Sequence, residues 1–328
     1  MHDFLAIGDI VTDAFIKLKD ASVHCDIDKK NCVICMPFAE KIPYESVEEV
    51  SAVGNSPNAS VAAARLGLKS ALVTNLGDDE EGKKCLEKLK QENVFTELVY
   101  VHQGKKSNYH YVLWYEADRT ILVKHEEYEY KLPDLGEPKW VYLSSLGAKA
   151  EDYHKELSAY LKTHKNIQLA FQPGTYQLLL GPEHLKDIYS RTKIFVSNVG
   201  EAGRVLGMET LGIKEMLKRL KELGPEMVVI TDGPKGAHAY DGNEMWHQPS
   251  YPDPKPPVDR TGAGDALAST TVAALSMGQD LETAMKWGMI NAMSVVQEVG
   301  AQKGLLSREK IEEYLKNAPP EFQSEKLN

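Results

Sequence analysis

Asp259-Arg260-Thr261-Gly262-Ala263-Gly264-Asp265 follows a proline-rich loop, Pro252 to Pro257, and opens an apolar, alanine-rich stretch that reads as almost all helix from Gly262 to Gln297. Gly262 and Gly264 have no Cβ, so a ligand can approach the backbone closely. The first N–H groups of a helix lack partners and carry the positive end of its dipole. Such a place holds a phosphate or a developing oxyanion. Asp265 does not fit a plain phosphate site, because its carboxylate would repel the ligand. Two readings stay open: a base that takes a proton from an incoming hydroxyl, or a simple helix cap. Three better-known glycine loops fail. No Lys and Ser or Thr follow the second glycine as a Walker A loop requires, and Leu267 stands where the dinucleotide and protein-kinase loops need a third glycine.

Upstream of this stretch, short apolar runs alternate with amphipathic ones, the pattern of a mostly parallel sheet covered by helices. Strands are expected at Phe4–Val11, Ala71–Asn75, Trp140–Ser144, Ile167–Phe171, Ile194–Ser197 and Met227–Thr231, and a hairpin turning at Asp241-Gly242. Helices are expected at Asn58–Leu66, Asp79–Glu92, Glu151–Thr163, from about Val199, and at Ile213–Leu223. Residues 14–42 and 106–130 break the alternation and read as antiparallel strands of a small separate sheet, suited to a lid over a cleft.

The 328 residues suffice for about two domains, or one large α/β domain with an insertion. With 42% hydrophobic and 26% charged residues the chain has material for a sizeable core. A net charge of −10 argues against nucleic acid and anionic membrane as partners. No run reaches the ~20 apolar residues of a spanning helix. Met1-His2-Asp3-Phe4 has neither the basic nor the apolar region of a secretion signal, so a cytoplasmic location is expected. Four cysteines do not make a disulfide framework in a chain this long. Cys25, Cys32 and Cys35 are expected to be reduced thiols rather than a zinc site, which wants four ligands.

Three further motifs sit at expected strand ends. Thr231-Asp232-Gly233-Pro234-Lys235-Gly236 is a glycine-bearing turn of the kind that faces nucleotides, or a plain turn. Asn198-Val199-Gly200-Glu201 places two oxygen ligands on one helical face, fit to order water around Mg²⁺ or to cap the helix. Asp13 and Gly54-Asn55-Ser56-Pro57-Asn58 supply carboxylate and carboxamide groups, which suit sugar hydroxyls and equally suit turns.

Taken in order, these motifs resemble the ribokinase-like (PfkB) family of sugar and nucleoside kinases. The carriers are Gly8-Asp9-Ile10-Val11-Thr12-Asp13, Gly54 to Asn58 with Ala62 to Gly67, Gly77 to Gly82, Asn198 with Glu201, Thr231 to Gly236, Asp259 to Asp265, and Asn291 with Gly300-Ala301-Gln302. The resemblance implies a three-layer αβα core over residues 1–13, 43–105 and 131–328, and a β lid from 14–42 and 106–130. It implies ATP-dependent phosphorylation of a hydroxymethyl group. Asp265 would be the base, and Gly262, Ala263 and Gly264 would line the anion hole with it. Asn198, Thr231, Gly233, Gly236 and Asn291 would hold the nucleotide. Asp13, Gly54, Asn55 and Asn58 would hold the acceptor. Mg²⁺ would be ordered through water by Asn198 and Glu201, and K⁺ would sit near Asp259 and Thr261.

The chain departs from the family pattern at Val53, where a glycine is usual, at Gln172, where many members carry Asp, and at Arg260, often Thr. Only Ser144 and Ser145 stand where ribose-specific members carry Glu. A sugar-like acceptor is therefore expected, with a nucleoside second. Nucleobase stacking would fall to Tyr109, Tyr111, Trp114 or Tyr115, whose alternation also fits packing of the lid or a homodimer joined through it. A catalytically silent binding protein of the same fold is the rival from another class.

Overall fold

In the computed structural model, residues 1–26, 32–115, 118–208 and 210–327 are described. Parts of both lid insertions, residues 27–31 and 116–117, lie outside the described residues. A ten-stranded sheet runs, from one edge, through Glu325–Lys326, Met245–Gln248, Ala237–Tyr240, Met227–Thr231, Thr192–Asn198, Gln168–Phe171, Trp140–Leu143, Phe4–Ile7, Ser70–Gly77 and Val99–His102. The seven strands from Met227–Thr231 onward are parallel, and the first three pair antiparallel.

Both faces of the inner parallel strands Phe4–Ile7 and Trp140–Leu143 are covered, so they are buried throughout rather than on alternate residues. Phe4 and Ala6 join Leu72 and Tyr142 in one core, under helices Asn55–Arg65, Ala263–Ser276 and Leu281–Val295. Leu5 and Ile7 join Val141, Leu143 and Phe171 in the other, under Glu151–Thr163 and Ile213–Glu222. Each fully buried large apolar side chain there contributes about 1.5–3 kcal/mol.

The expected helix from Gly262 to Gln297 is two helices, because Asp280 caps a new one by accepting from the Thr283 N–H at 2.7 Å. The expected hairpin at Asp241-Gly242 joins Ala237–Tyr240 to Met245–Gln248.

A second sheet pairs Tyr44–Val53, Val11–Leu18, Tyr109–Tyr115 and Asp118–Leu122 in that order. The lid therefore begins at Val11 and includes Tyr44–Val53, which the sequence reading placed in the core segment 43–105. That strand is rich in glutamate and exposed over its first half, so its apolar pattern is weak, and only pairing with Val11–Leu18 reveals it. Phe4–Ile7 lies between Ser70–Gly77 on one side and Trp140–Leu143 on the other. The order of strand addition reverses there, and the crevice above the strands' C-terminal ends is where open α/β sheets bind ligands. The lid hangs over that crevice.

Cys25 and Cys32 are disulfide-bonded across the exposed hairpin Ser22–Cys25/Cys32–Cys35, which corrects the reduced-thiol expectation for these two; Cys35 and Cys85 are free. The antiparallel register sets the two cysteines directly opposite each other, a juxtaposition that spacing alone does not show.

Candidate active site

Asp265 is half-buried in the first turn of Ala263–Ser276, at the bottom of a chamber of about 340 Å³ beneath the lid. Three carboxamides aim donors at its carboxylate. Asn55 Nδ2 reaches Oδ1 at 2.9 Å, Gln172 Nε2 reaches the same oxygen at 3.1 Å, and Asn58 Nδ2 reaches Oδ2 at 2.8 Å. Burial pushes the Asp265 carboxyl above its usual range; the three carboxamides and the nearby Arg119 charge pull the other way. Two of the donors are held in turn. Tyr142, fully buried, donates its hydroxyl to Gln172 Oε1, and Gln302 Nε2 donates to Asn58 Oδ1 at 3.1 Å. The Asp265 carboxylate is thus held in one orientation by three donors from two different parts of the chain.

The helix start beside it is shaped by two glycines with different reasons. Gly262 has φ of 80°, and a Cβ there would sit 2.3 Å from the Ala301 Cβ, so backbone and packing both demand glycine. A Cβ on Gly264 would meet nothing within 4 Å, because that position faces the open cleft. The N–H groups of Gly264 and Asp265 donate to no acceptor among the described residues, as expected of a helix start.

A second cleft of about 410 Å³ adjoins this chamber through Thr231, Arg260 and Gly264. Thr231, Gly233 and Gly236 line its sheet side. Tyr251, Leu267, Met289, Met293 and Val296 make an apolar wall, and Arg260 stands at the end nearest Gly264. An apolar slot that ends in a cation and a helix N-terminus fits a nucleotide: base on the wall, phosphates at the loop.

Asn198 and Glu201 form a reciprocal cap. The Glu201 N–H donates to Asn198 Oδ1 at 2.8 Å, and the Asn198 N–H donates to Glu201 Oε2 at 2.9 Å. Both still line the chamber. Burial raises the Glu201 carboxyl, and the Asp265 charge adds to the rise. A carboxylate under that stress beside a carboxamide oxygen is a donor set that a hard divalent cation fits.

The residue pattern of a family description, pfkB family carbohydrate kinase, matches residues 20–308. The chain belongs to this family. Ribokinase of Bacillus subtilis (strain 168) is 29% identical over 268 residues, covering 80% of this chain and 87% of the relative. An ATP-dependent 6-phosphofructokinase of Thermoanaerobacterium thermosaccharolyticum is 25% identical over 320 residues, covering 92% and 89%. The structure of Arabidopsis thaliana ribokinase complexed with ribose and ATP superposes with a TM-score of 0.80, covering 96% of this chain and 99% of that one at 18% identity. The protein is thus a sugar or nucleoside kinase of the ribokinase-like type, a phosphotransferase to alcohol groups of small molecules. Among the described residues no helix is long and apolar enough to cross a membrane.

Within this PfkB kinase the expected residues divide. Asp13, Gly54, Asn55, Asn58, Asn198, Glu201, Thr231, Thr261, Gly262, Gly264 and Asp265 line the chamber beneath the lid, and Thr231, Gly233, Gly236, Ala263 and Gly264 line the adjoining cleft. Gly54 sits at φ 121°, where a Cβ would stand 2.8 Å from the Asp9 carbonyl oxygen, so only glycine lets the chain turn from lid to helix. Asn55 and Asn58, expected on the acceptor, line the chamber, and each donates from Nδ2 to Asp265. Asn291 leaves the nucleotide group altogether. It is fully buried, donates to Thr270 Oγ1 at 2.7 Å and accepts from the Leu306 N–H at 2.9 Å, tying two helices to a loop. Asp259 is buried and accepts from the Thr261 N–H, the Thr261 hydroxyl and the Gly300 N–H. Those bonds clasp the phosphate-side loop to the 300-loop.

The sequence reading missed Gln172, Arg119 and His110 as chamber residues. Gln172 carried a signal, since it departs from the family's usual Asp. His110 and Arg119 carried none beyond strand alternation. Tyr109 and Tyr111, offered as nucleobase platforms, lie on the lid face opposite His110, and Tyr109 donates to Glu49 at 2.7 Å.

Proposed function

We propose that this enzyme transfers the γ-phosphoryl group of ATP to a hydroxymethyl group of a sugar-like acceptor. The observation that carries the reading is the Asp265 carboxylate, fixed by Asn55, Asn58 and Gln172 at a helix N-terminus between the two cavities. Asp265 accepts the proton of the acceptor hydroxyl. The hydroxyl oxygen forms a bond to the γ-phosphorus, the bond from that phosphorus to the bridging oxygen breaks, and ADP leaves with the electron pair. The Gly264 and Asp265 N–H groups and the Arg260 guanidinium stabilise charge on the moving oxygens. Asn198 and Glu201 would hold Mg²⁺ through water, and that ion would neutralise phosphate charge.

Holding the hydroxyl in line supplies up to roughly 7–11 kcal/mol of barrier reduction, and the lid keeps out competing water. Among the described residues no Phe, Tyr or Trp lines the acceptor chamber, which favours a sugar over a nucleoside. ADP release is measured over a panel of sugars and nucleosides, with Asp265→Asn as control. Loss of a general base lowers kcat by about 10²- to 10⁴-fold. Near-normal turnover by Asp265→Asn on an accepted substrate would refute the base assignment, and ATP binding without ADP release on any acceptor would favour a silent binding protein.

A further inference from the structure

The face of the lid that looks into the acceptor chamber has two chemically distinct ends. Asp13 and His110 lie opposite each other on neighbouring strands. Asp13 Oδ1 and His110 Nε2 are buried without a hydrogen-bond partner, and His110 Nδ1 lies 3.4 Å from Asp13 Oδ1. They offer a carboxylate and an imidazole nitrogen to acceptor hydroxyls. Four residues along the strand from His110 is Trp114, which pairs with Arg119 on the edge strand; at about 3.3 Å per residue that is roughly 13 Å away.

Arg119 and Ile121 share the chamber-facing side. The Arg119 Nε is buried with no hydrogen-bond partner. Among the described residues its guanidinium forms no ion pair, and its charge reaches Asp265 only through space. The phosphate-side loop already has its own cation in Arg260, which lines both cavities. Arg119 instead shares its sheet and its face with the acceptor-side groups. The chamber also carries the carboxylates Asp13, Glu201 and Asp265, so on the lid side Arg119 is the guanidinium that would admit negative charge, Arg260 standing at the phosphate-side loop. A guanidinium is weakly hydrated, always charged and forked, and it is best satisfied by a carboxylate or phosphate taken with two bonds.

Resting on the kinase reading above, we propose that the acceptor is an anionic sugar derivative. Its carboxylate or phosphate pairs with Arg119 at one end of the lid, its hydroxyls meet Asp13 and His110, and its free hydroxymethyl group lies at Asp265. Arg119 is then the residue that sets acceptor specificity.

The test uses three acceptors of one carbon skeleton: the neutral sugar, its sugar acid and its monophosphate. ADP release is measured for the wild type, Arg119→Gln and Arg119→Lys. The wild type should prefer one of the two charged acceptors, and which one identifies the anion. The ratio of kcat/KM for that acceptor to kcat/KM for the neutral sugar should fall about 10- to 100-fold in Arg119→Gln, through KM, with Arg119→Lys between. Equal use of the neutral sugar by the wild type would overturn the proposal. So would an equal loss of kcat on all three acceptors in Arg119→Gln, the signature of a contact to the transferred phosphoryl group.

Calorimetric titration of the sugar acid and the sugar monophosphate without ATP gives a readout independent of turnover. The wild type should bind at least one, at least tenfold tighter than Arg119→Gln; binding of neither overturns the proposal. ADP release with neutral sugars or nucleosides alone would leave the kinase reading standing and remove this inference. Arg119-dependent anion binding with no ADP release would do the reverse.

Discussion

Replacing Gln172 with leucine removes one of the three donors that favour the ionised form of Asp265, and it leaves the backbone and most of the volume in place. The bond from Nε2 to Asp265 Oδ1 is 3.1 Å, the longest of the three. Hydrogen bonds to charged groups contribute about 1.5–3 kcal/mol, and this one belongs at the lower end, about 1.5 kcal/mol, or roughly tenfold. The sign follows from the base role. Asp265 must be ionised to take a proton, burial already raises its carboxyl, and Gln172 lowers it. Without Gln172 the carboxyl titrates at higher pH, so the acid limb of the kcat/KM profile moves to higher pH.

The same change strips the buried Tyr142 hydroxyl of its acceptor, at a stability cost of about 1–3 kcal/mol. Adding Tyr142→Phe should restore most of that stability while the acid limb stays displaced, because the orphaned hydroxyl is gone and the donor to Asp265 is still missing. The assays are a pH–rate profile by ADP release and thermal unfolding of the two single variants and the double variant. An acid limb unmoved in Gln172→Leu would refute Gln172 as a positioning residue for the base.

Asp9 offers a stability test. Burial pushes its carboxyl up to about 7 even though Tyr130 donates to both oxygens at 2.9 Å. A raised folded pKa means that the stability from this group is full at acidic pH and is lost as pH rises toward about 7. The Tm advantage of Asp9→Asn over the wild type should therefore grow between pH 5 and 8, and a constant difference would contradict the buried-carboxyl account. Asn291→Leu should destabilise the fold by about 2–5 kcal/mol, since it orphans Thr270 and the Leu306 N–H, and it should leave the KM for ATP unchanged. A raised KM for ATP with unchanged stability would return Asn291 to the nucleotide site.

The parallel core was readable because its strands are continuous apolar runs. Phe4–Ile7, Trp140–Leu143 and Met227–Thr231 announce burial on both faces. Asp265 was readable because a carboxylate directly after Gly-Ala-Gly conflicts with a phosphate site and so demands a chemical reason. Tyr44–Val53 was not readable as lid, because most of it is solvent-facing and its glutamates hide the alternation. Gln172 and Asp265 are 93 residues apart, and the carboxamides of Asn55 and Asn58 come from more than 200 residues away, so no local pattern could show that all three serve one carboxylate.

What the amino-acid order alone determined is local: which runs are buried, which turns need glycine, which helix start gathers unpaired donors. Those properties depend on neighbours within a few residues, through side-chain period and backbone sterics. The tertiary structure decided the destination of each polar group. Asn291 and Asp259 became structural ties, Gln172 became a donor to Asp265, and Arg119 faced the chamber above that carboxylate. A polar side chain must be satisfied wherever folding leaves it, and its partner is chosen by strand order and register across the whole chain, which spacing along the sequence does not encode.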